Sequence, residues 1–192
     1  MANTHSRFLD SDVISNLLIM KVRSDINVNL IDPPEKFHLM TTQVIIREVQ
    51  AIVNKTEQTK EMNGNALSDA DVSKIKRTWK DIRKILTIKE IKDDRPLSLK
   101  NMGERSLVNA VIQYRMDCKI VSNNKADVIK YLKEKSLPED IYQFPFEFFE
   151  EMEKFWFDNY KDVICFIILS NHDFRISSKK NLGNILTKIR TR

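Results

Sequence analysis

The sequence predicts an α/β fold in which helices dominate over a small, mostly parallel sheet. The chain of 192 residues contains only 3 glycines and 5 prolines, which disfavours a turn-rich all-β design. Short apolar runs alternate with stretches whose apolar residues recur at helical spacing. A helix, the short strand Cys118–Val121 and another helix follow one another, which is half of a βαβ unit and indicates a parallel sheet.

A single domain is expected to account for residues 1–192, because this length suits one hydrophobic core. Cys118 and Cys165 lie in apolar runs without a cysteine or histidine at metal spacing, so both read as buried thiols of a reducing compartment. The amino terminus lacks a signal-peptide pattern, and no apolar run approaches the roughly 18 residues of a membrane span. We therefore expect a cytoplasmic protein that does not contact a membrane.

The first half of the chain is predicted to contain two strand and helix pairs, a loop and a third helix. In order, these are a strand over 7–9, a helix over 11–20, a strand over 37–40, a helix over 42–53, a loop over 56–65 and a helix over 72–85. Ser68 and Asp71 form the aspartate version of a capping box before the last helix. Asp10 follows a strand, and ligands bind at the carboxyl ends of strands in open α/β sheets. Glu48 lies beside the apolar stripe of the second helix.

The second half begins after the break at residues 93–96. A helix is predicted from Gly103 to near Asp117, then the strand Cys118–Val121, and then a helix that follows the turn at Asn123 and Asn124. From Pro138 onwards the chain is rich in aromatic residues. A stacking platform for bases is one interpretation. Their helical spacing and the interleaved glutamates favour the other, a helix packed on the sheet.

The positive charge is concentrated at the carboxyl terminus. Residues 173–192 contain six Lys and Arg residues and one Asp, so this segment carries the entire net charge of +5. A basic helical segment of this kind favours a polyanion such as nucleic acid, although a solvated terminal helix has the same composition. The candidate nucleic-acid-binding residues are Arg175, Lys179, Lys180, Lys188 and Arg190.

Carboxylates are the remaining candidates for chemistry. The chain has no nucleophile elbow, P-loop, dinucleotide fingerprint or zinc-ligand spacing, and its three histidines are scattered. Taken singly, Asp10 is explained as a helix cap, Glu48 as a surface charge and Glu104 as a first-turn carboxylate. Taken together, they supply the oxygen ligands that Mg²⁺ and Mn²⁺ prefer.

Four segments in the same order resemble the PIN-domain ribonucleases, within them the compact subgroup of prokaryotic toxin–antitoxin pairs. The segments are 8–14, 39–49, 103–110 and 173–177. The resemblance covers residues 7 to about 189 and implies a three-layer α/β/α PIN-like domain ending in a basic helical segment, 173–192. It implies a Mg²⁺- or Mn²⁺-dependent endoribonuclease that acts on RNA, with a small antitoxin protein as partner. A homo-oligomer is left open.

The resemblance also implies the site residues. It implies Asp10, Glu48 and Glu104 as both metal ligands and catalytic residues. Asn124, which stands where the family has an aspartate, is added as a catalytic residue, and Asp127 is added as a metal ligand because it could reach the site from the first turn of the next helix.

The chain departs from the family after the strand Cys118–Val121, where Asn123 and Asn124 replace the usual aspartates. An amide oxygen adds no negative charge, so the metal should bind more weakly. Asp12 is a further source of charge. The alternative function is therefore a catalytically degenerate PIN-like module that binds nucleic acid or protein. A helical interaction protein without a parallel sheet is a third interpretation.

Overall fold

A computed structural model describes residues 5–23, 37–62, 65–91, 102–114, 118–152 and 156. The strands are β1 His5–Leu9, β2 Phe37–Thr42, β3 Glu61–Met62, β4 Asn65–Ala66, β5 Thr87–Lys89, β6 Cys118–Val121 and β7 Tyr142–Gln143. The helices are α1 Ser11–Arg23, α2 Gln43–Thr59, α3 Asp69–Ile85, α4 Met102–Tyr114, α5 Lys125–Glu134 and α6 Pro145–Glu151, and a 3-10 helix covers Glu139–Ile141.

The main sheet has five strands in the order β5-β2-β1-β6-β7, and all of its neighbouring strands pair in parallel. The predicted α/β fold with a parallel sheet is confirmed, which removes the support for a purely helical protein. From β1 the chain moves outward through β2 to β5, and it then crosses to β6 and β7 on the other side of β1. The strand order therefore reverses between β1 and β6, and such a switch point is where open α/β sheets bind ligands.

The helices form a layer on each face of the sheet. Helix α1 contacts α2 and α3, whereas α4 contacts α5. Because the chain reverses its direction across the sheet between β5 and β6, right-handed crossovers are expected to place α1, α2 and α3 on one face and α4 and α5 on the other. This arrangement agrees with the predicted three layers. Helices α2 and α4 also contact each other.

The core is built from the central strands and the apolar sides of the helices. Phe8 of β1 and Ile120 of β6 are completely buried, as are Phe148 and Trp156. The rings of Phe148 and Trp156 meet edge to face with their centroids 5.7 Å apart. The interpretation of the aromatic segment as core is confirmed for Phe148, Phe149 and Trp156, which are buried and so do not offer their faces to bases.

The predicted loop over residues 56–65 is wrong. Helix α2 continues to Thr59. The buried Thr56 hydroxyl donates to the Ile52 carbonyl oxygen at 2.8 Å, so this polar side chain is satisfied within the helix. Lys60 caps the helix in a left-handed conformation. The two-stranded hairpin β3–β4 follows it.

Several sequence predictions concern single residues or lie outside the described ranges. The capping box is confirmed: the Asp71 backbone N–H donates to the Ser68 hydroxyl at 3.2 Å, and the Ser68 N–H donates to the Asp71 carboxylate at 3.0 Å. Cys118 is buried, as predicted. Cys165 and the five candidate nucleic-acid-binding residues Arg175, Lys179, Lys180, Lys188 and Arg190 lie outside the described ranges. Among the helices that are described, none has the length and hydropathy needed to cross a membrane.

Candidate acidic site

Asp10 lies at the switch point of the sheet. It follows β1 directly, and its backbone N–H donates to the carbonyl oxygen of Val121, the last residue of β6, at 3.0 Å. The side chain is almost completely buried, with 3% exposure. Its carboxylate accepts one hydrogen bond from the Ser11 backbone N–H at 2.7 Å and another from the Ser122 hydroxyl at 2.6 Å. Asp10 is therefore held rigidly between the ends of two adjacent strands.

Asp12 lies beside Asp10 in the first turn of α1. Its Oδ2 accepts a hydrogen bond from the Asn123 backbone N–H at 2.8 Å. The other oxygen, Oδ1, is buried and makes no hydrogen bond of good geometry, although the Val13 backbone N–H and the Asn123 side chain are near enough to lower the pKa of Asp12. An unpaired buried carboxylate oxygen is costly, so it is a natural place for a proton, a cation or a polar ligand atom.

Glu48 and Glu104 are brought together by the close packing of α2 and α4. A Cβ atom on Gly103 would lie 2.9 Å from Ile45 Cδ1 and 3.0 Å from Glu48 Oε2. A larger residue at position 103 would require the ends of these two side chains to move, so glycine favours the close approach of the first turn of α4 to α2. Glu104 follows at the next position, which places its carboxylate in the electric field of Glu48.

Asn124 connects the second pair of acids. Its amide nitrogen donates to Glu104 Oε1 at 2.7 Å and to Asp127 Oδ2 at 2.7 Å. Its amide oxygen caps α5 by accepting from the Asp127 backbone N–H at 3.4 Å, and its own backbone N–H donates to the Ser122 hydroxyl at 3.0 Å. The structure therefore brings Asp10, Glu48, Glu104, Asn124 and Asp127 into one neighbourhood.

The acids of this neighbourhood repel each other. Burial raises the pKa of Asp10 well above its usual value, and the charges of Asp12 and Glu104 raise it further. Burial, supported by the charge of Glu104, raises the pKa of Asp12 to about 6. Burial and the Glu104 charge also raise the pKa of Glu48. No Lys or Arg in the described ranges forms an ion pair with Asp10, Asp12, Glu48 or Glu104.

The residues fit a hard cation in their chemistry. The side chains offer oxygen atoms as ligands, and Asp12 adds a buried oxygen, Oδ1, that makes no hydrogen bond of good geometry. As placed, however, no group of three or more Asp, Glu, His or Cys side chains among the described residues could hold a metal ion. Mg²⁺ is commonly held by one or two carboxylates and several waters, so a pair is sufficient. The larger ligand set of Asp10, Glu48, Glu104 and Asp127 stays a prediction.

Sequence reasoning missed the hydroxyl that organises this site. Ser122 is completely buried and contacts both Asp10 and Asn124, as described above. The available signal was its position directly after β6, opposite the end of β1. The sequence predicts Asp12 only as a further source of charge. Its position two residues after Asp10, in the first turn of α1, is the signal that it belongs to the same site.

Comparison of the chain with models of known protein families and with curated proteins gives no match. The similarity to the PIN-domain ribonucleases therefore rests on the four sequence segments, and the structure bears on the fold and on the positions of the acids.

Proposed function

We propose that the protein is a Mg²⁺- or Mn²⁺-dependent endoribonuclease whose active site lies between the ends of β1 and β6. The observation that carries this proposal is the position of Asp10. It is buried at the switch point of a parallel sheet, in the field of two further carboxylates and without a cationic partner among the described residues. A bound cation stabilises a buried group of acids in this environment. A cation held by carboxylates is also what metal-dependent cleavage of a phosphodiester requires.

Each residue has a proposed role. Asp10 would hold the cation together with members of the set Glu48, Glu104 and Asp127, and the cation would activate water and offset charge on the phosphate. Ser122 orients the Asp10 carboxylate through its hydroxyl, and Asn124 orients Glu104. Asp12, whose pKa is raised by burial to about 6, would exchange a proton near that pH, as a general acid or base does.

The proposed partners follow from the resemblance. RNA is the substrate, and a small antitoxin protein is the inhibitor. The basic residues between Arg175 and Arg192 would add sequence-independent contacts to the RNA backbone. The proposed location is cytoplasmic, since Cys118 is buried in an apolar run, as a thiol of a reducing compartment often is.

The direct test is cleavage of a structured RNA in the presence of Mg²⁺ or Mn²⁺. We expect Asp10→Asn and Glu104→Gln each to reduce the cleavage rate by at least about 100-fold. Loss of a residue that only orients a metal ligand typically reduces activity by about 10- to 100-fold, so loss of a ligand itself should cost at least as much. The exposed residues Asp140 and Glu90 provide the matched controls Asp140→Asn and Glu90→Gln, which should cleave like the wild type. Unchanged cleavage in both site variants would reject the assignment.

A second candidate, a catalytically degenerate binding module, is favoured by one observation. The amide nitrogen of Asn124 donates to Glu104 and to Asp127, so it reduces the repulsion between these acids without a metal. Calorimetry with Mn²⁺ distinguishes the two candidates. Binding by Asn124→Asp but not by the wild type would favour the module, whereas tight binding by the wild type would remove it.

A further inference from the structure

Three cations and two tyrosines lie next to the acidic site on α4, α5 and β7. Arg105 follows Glu104 in the first turn of α4, and Lys125 follows Asn124 as the first residue of α5. Lys130 and Tyr131 lie further along α5, and Tyr142 begins β7. Lys125 approaches Tyr142 of β7 on one flank of α5, and Tyr131 approaches Arg105 of α4 on the other flank. We call the five residues on these two flanks the cation–tyrosine face.

Each cation of this face lies near a tyrosine ring. The Arg105 guanidinium is 5.3 Å from the centroid of the Tyr131 ring, and Lys130 Nζ is 5.7 Å from the same centroid. Lys125 Nζ is 5.8 Å from the centroid of the Tyr142 ring. These distances are typical of cation–π contacts, in which the cation keeps its full charge.

The three cations have no carboxylate partners among the described residues. Elsewhere Lys60, Lys76, Lys84 and Lys133 each form an ion pair, with distances from 2.6 to 3.1 Å. Arg105, Lys125 and Lys130 form none within the described ranges. Two like charges beside one ring repel each other, and an anion bound between them would relieve that repulsion.

The face is also connected to the acidic site by direct contacts. The Tyr142 hydroxyl donates to the Ser122 carbonyl oxygen at 2.9 Å, and the Ser122 hydroxyl holds Asp10. Helices α4 and α5 contact each other, and Asn124 joins their amino-terminal ends through its hydrogen bond to Glu104. An anionic polymer on the face would therefore pass close to Asp10.

We propose that the cation–tyrosine face binds single-stranded RNA, with phosphates at Arg105, Lys125 and Lys130 and a base on the Tyr131 ring in place of one of the two cations that lie over it. Cations interleaved with partly exposed aromatic rings are the recurrent surface for single strands, since the cations follow the backbone and the rings accept any base. An acidic peptide would use the cations but not the rings. The identity of the polymer rests on the proposed function, whereas the location of its binding surface rests on the contacts above.

The test measures the affinity of a fluorescently labelled oligouridine by anisotropy in a metal chelator, so that no cleavage occurs. The variant Arg105→Gln/Lys130→Gln is compared with Arg77→Gln/Lys80→Gln, which removes the same charges from exposed positions of α3. We expect the first variant to lose at least about ten-fold in affinity at low salt. Its slope of log affinity against log salt concentration should fall by about 1.4, for two phosphate contacts of about 0.7 each.

Replacement of Tyr131 tests the ring separately from the charges. We expect Tyr131→Leu to weaken oligouridine binding about five-fold or more, because it removes the stacking surface. Tyr131→Phe keeps the ring and should bind like the wild type. Thermal unfolding of both variants checks that the fold is intact, and the phenylalanine variant remains informative if the leucine variant unfolds.

Three outcomes would overturn the inference. The two charge variants could lose affinity equally, Tyr131→Leu could bind as well as Tyr131→Phe, or oligoglutamate could displace the RNA as well as unlabelled oligouridine does.

Failure of the nuclease proposal would give a different result. If RNA binds as expected here but is never cleaved, this inference stands and the nuclease proposal falls. If Asp10 is needed for cleavage but Arg105→Gln/Lys130→Gln binds normally, the reverse holds.

Discussion

The side-chain amide of Asn124 donates a 2.7 Å hydrogen bond to Oε1 of Glu104, and this contact joins the first turn of α4 to the cap of α5. The same nitrogen also donates to Asp127. A neutral donor thus lies between two carboxylates, where an aspartate would add a third negative charge. Asn124 therefore sets the balance between stability of the metal-free site and its affinity for a cation.

We predict that Asn124→Asp destabilises the metal-free protein at pH 7 and that Mn²⁺ restores its stability. The variant loses a donor to two carboxylates and adds a like charge, which should cost about 1–3 kcal/mol of unfolding free energy. Urea unfolding in chelator and in Mn²⁺ measures the effect. Asn54→Asp is the control, because Asn54 is exposed and uses its oxygen as an acceptor. Equal stabilisation by Mn²⁺ of wild type and Asn124→Asp would contradict the prediction.

Ser122→Ala should lower the unfolding free energy by about 1–3 kcal/mol, because it leaves the buried Asp10 carboxylate without one of its donors. Since that hydrogen bond lowers the pKa of Asp10, its loss should raise the pKa further. Chemical denaturation at several pH values measures both effects. Ser73→Ala removes an exposed hydroxyl that donates to a helix carbonyl, and its effect should be within about 0.5 kcal/mol. Equal effects of the two substitutions would indicate that the contact with Asp10 is unimportant.

The stability of the metal-free protein should fall as the pH rises from about 4 to above 6. The folded-state pKa of Asp12 is about 6, above the value of 3.8 expected when unfolded, so the folded state binds the proton more tightly. This contribution is complete below the unfolded pKa and is lost as the pH rises through the folded pKa, at a cost of up to about 3 kcal/mol. Asp10 acts in the same direction.

Asp12→Asn should therefore reduce the difference in unfolding free energy between pH 4 and pH 7, measured with urea in chelator. Asp140→Asn, at an exposed position, should leave the difference unchanged. An unchanged difference in Asp12→Asn would show that Asp12 is not the group that titrates.

The outcome for the fold shows what periodicity can and cannot predict. The central strands β1 and β6 were predicted from the short apolar segments that they contain, Phe8-Leu9 and Ile120-Val121. The edge strands β5 and β7 were missed, because three and two residues are too few to show alternation. The end of α2 was missed because the buried Thr56 is polar in the sequence but bonds to its own helix.

For the site, the order of motifs was enough to select Asp10, Glu48 and Glu104, which lie together in the structure. The orientation of the Asn124 amide was not predictable, because an asparagine can present either its oxygen or its nitrogen. Only the positions of Glu104 and Asp127 decide which atom faces the acids. The role of Ser122 depends on the adjacency of β1 and β6, which no local pattern encodes.

Gly103→Ala should destabilise the protein, although alanine normally favours a helix over glycine by about 1 kcal/mol. The added methyl group would lie 2.9 Å from Ile45 Cδ1 and 3.0 Å from Glu48 Oε2, so the ends of these side chains or α4 itself must shift. We expect a net loss of about 1–3 kcal/mol, the usual cost of overpacking. Ile45→Val removes the nearer of the two atoms and should recover part of the loss, seen as a favourable coupling of at least about 0.5 kcal/mol in a double-mutant cycle. If Gly103→Ala were instead stabilising, the close approach of α4 to α2 would not be what positions Glu104 beside Glu48.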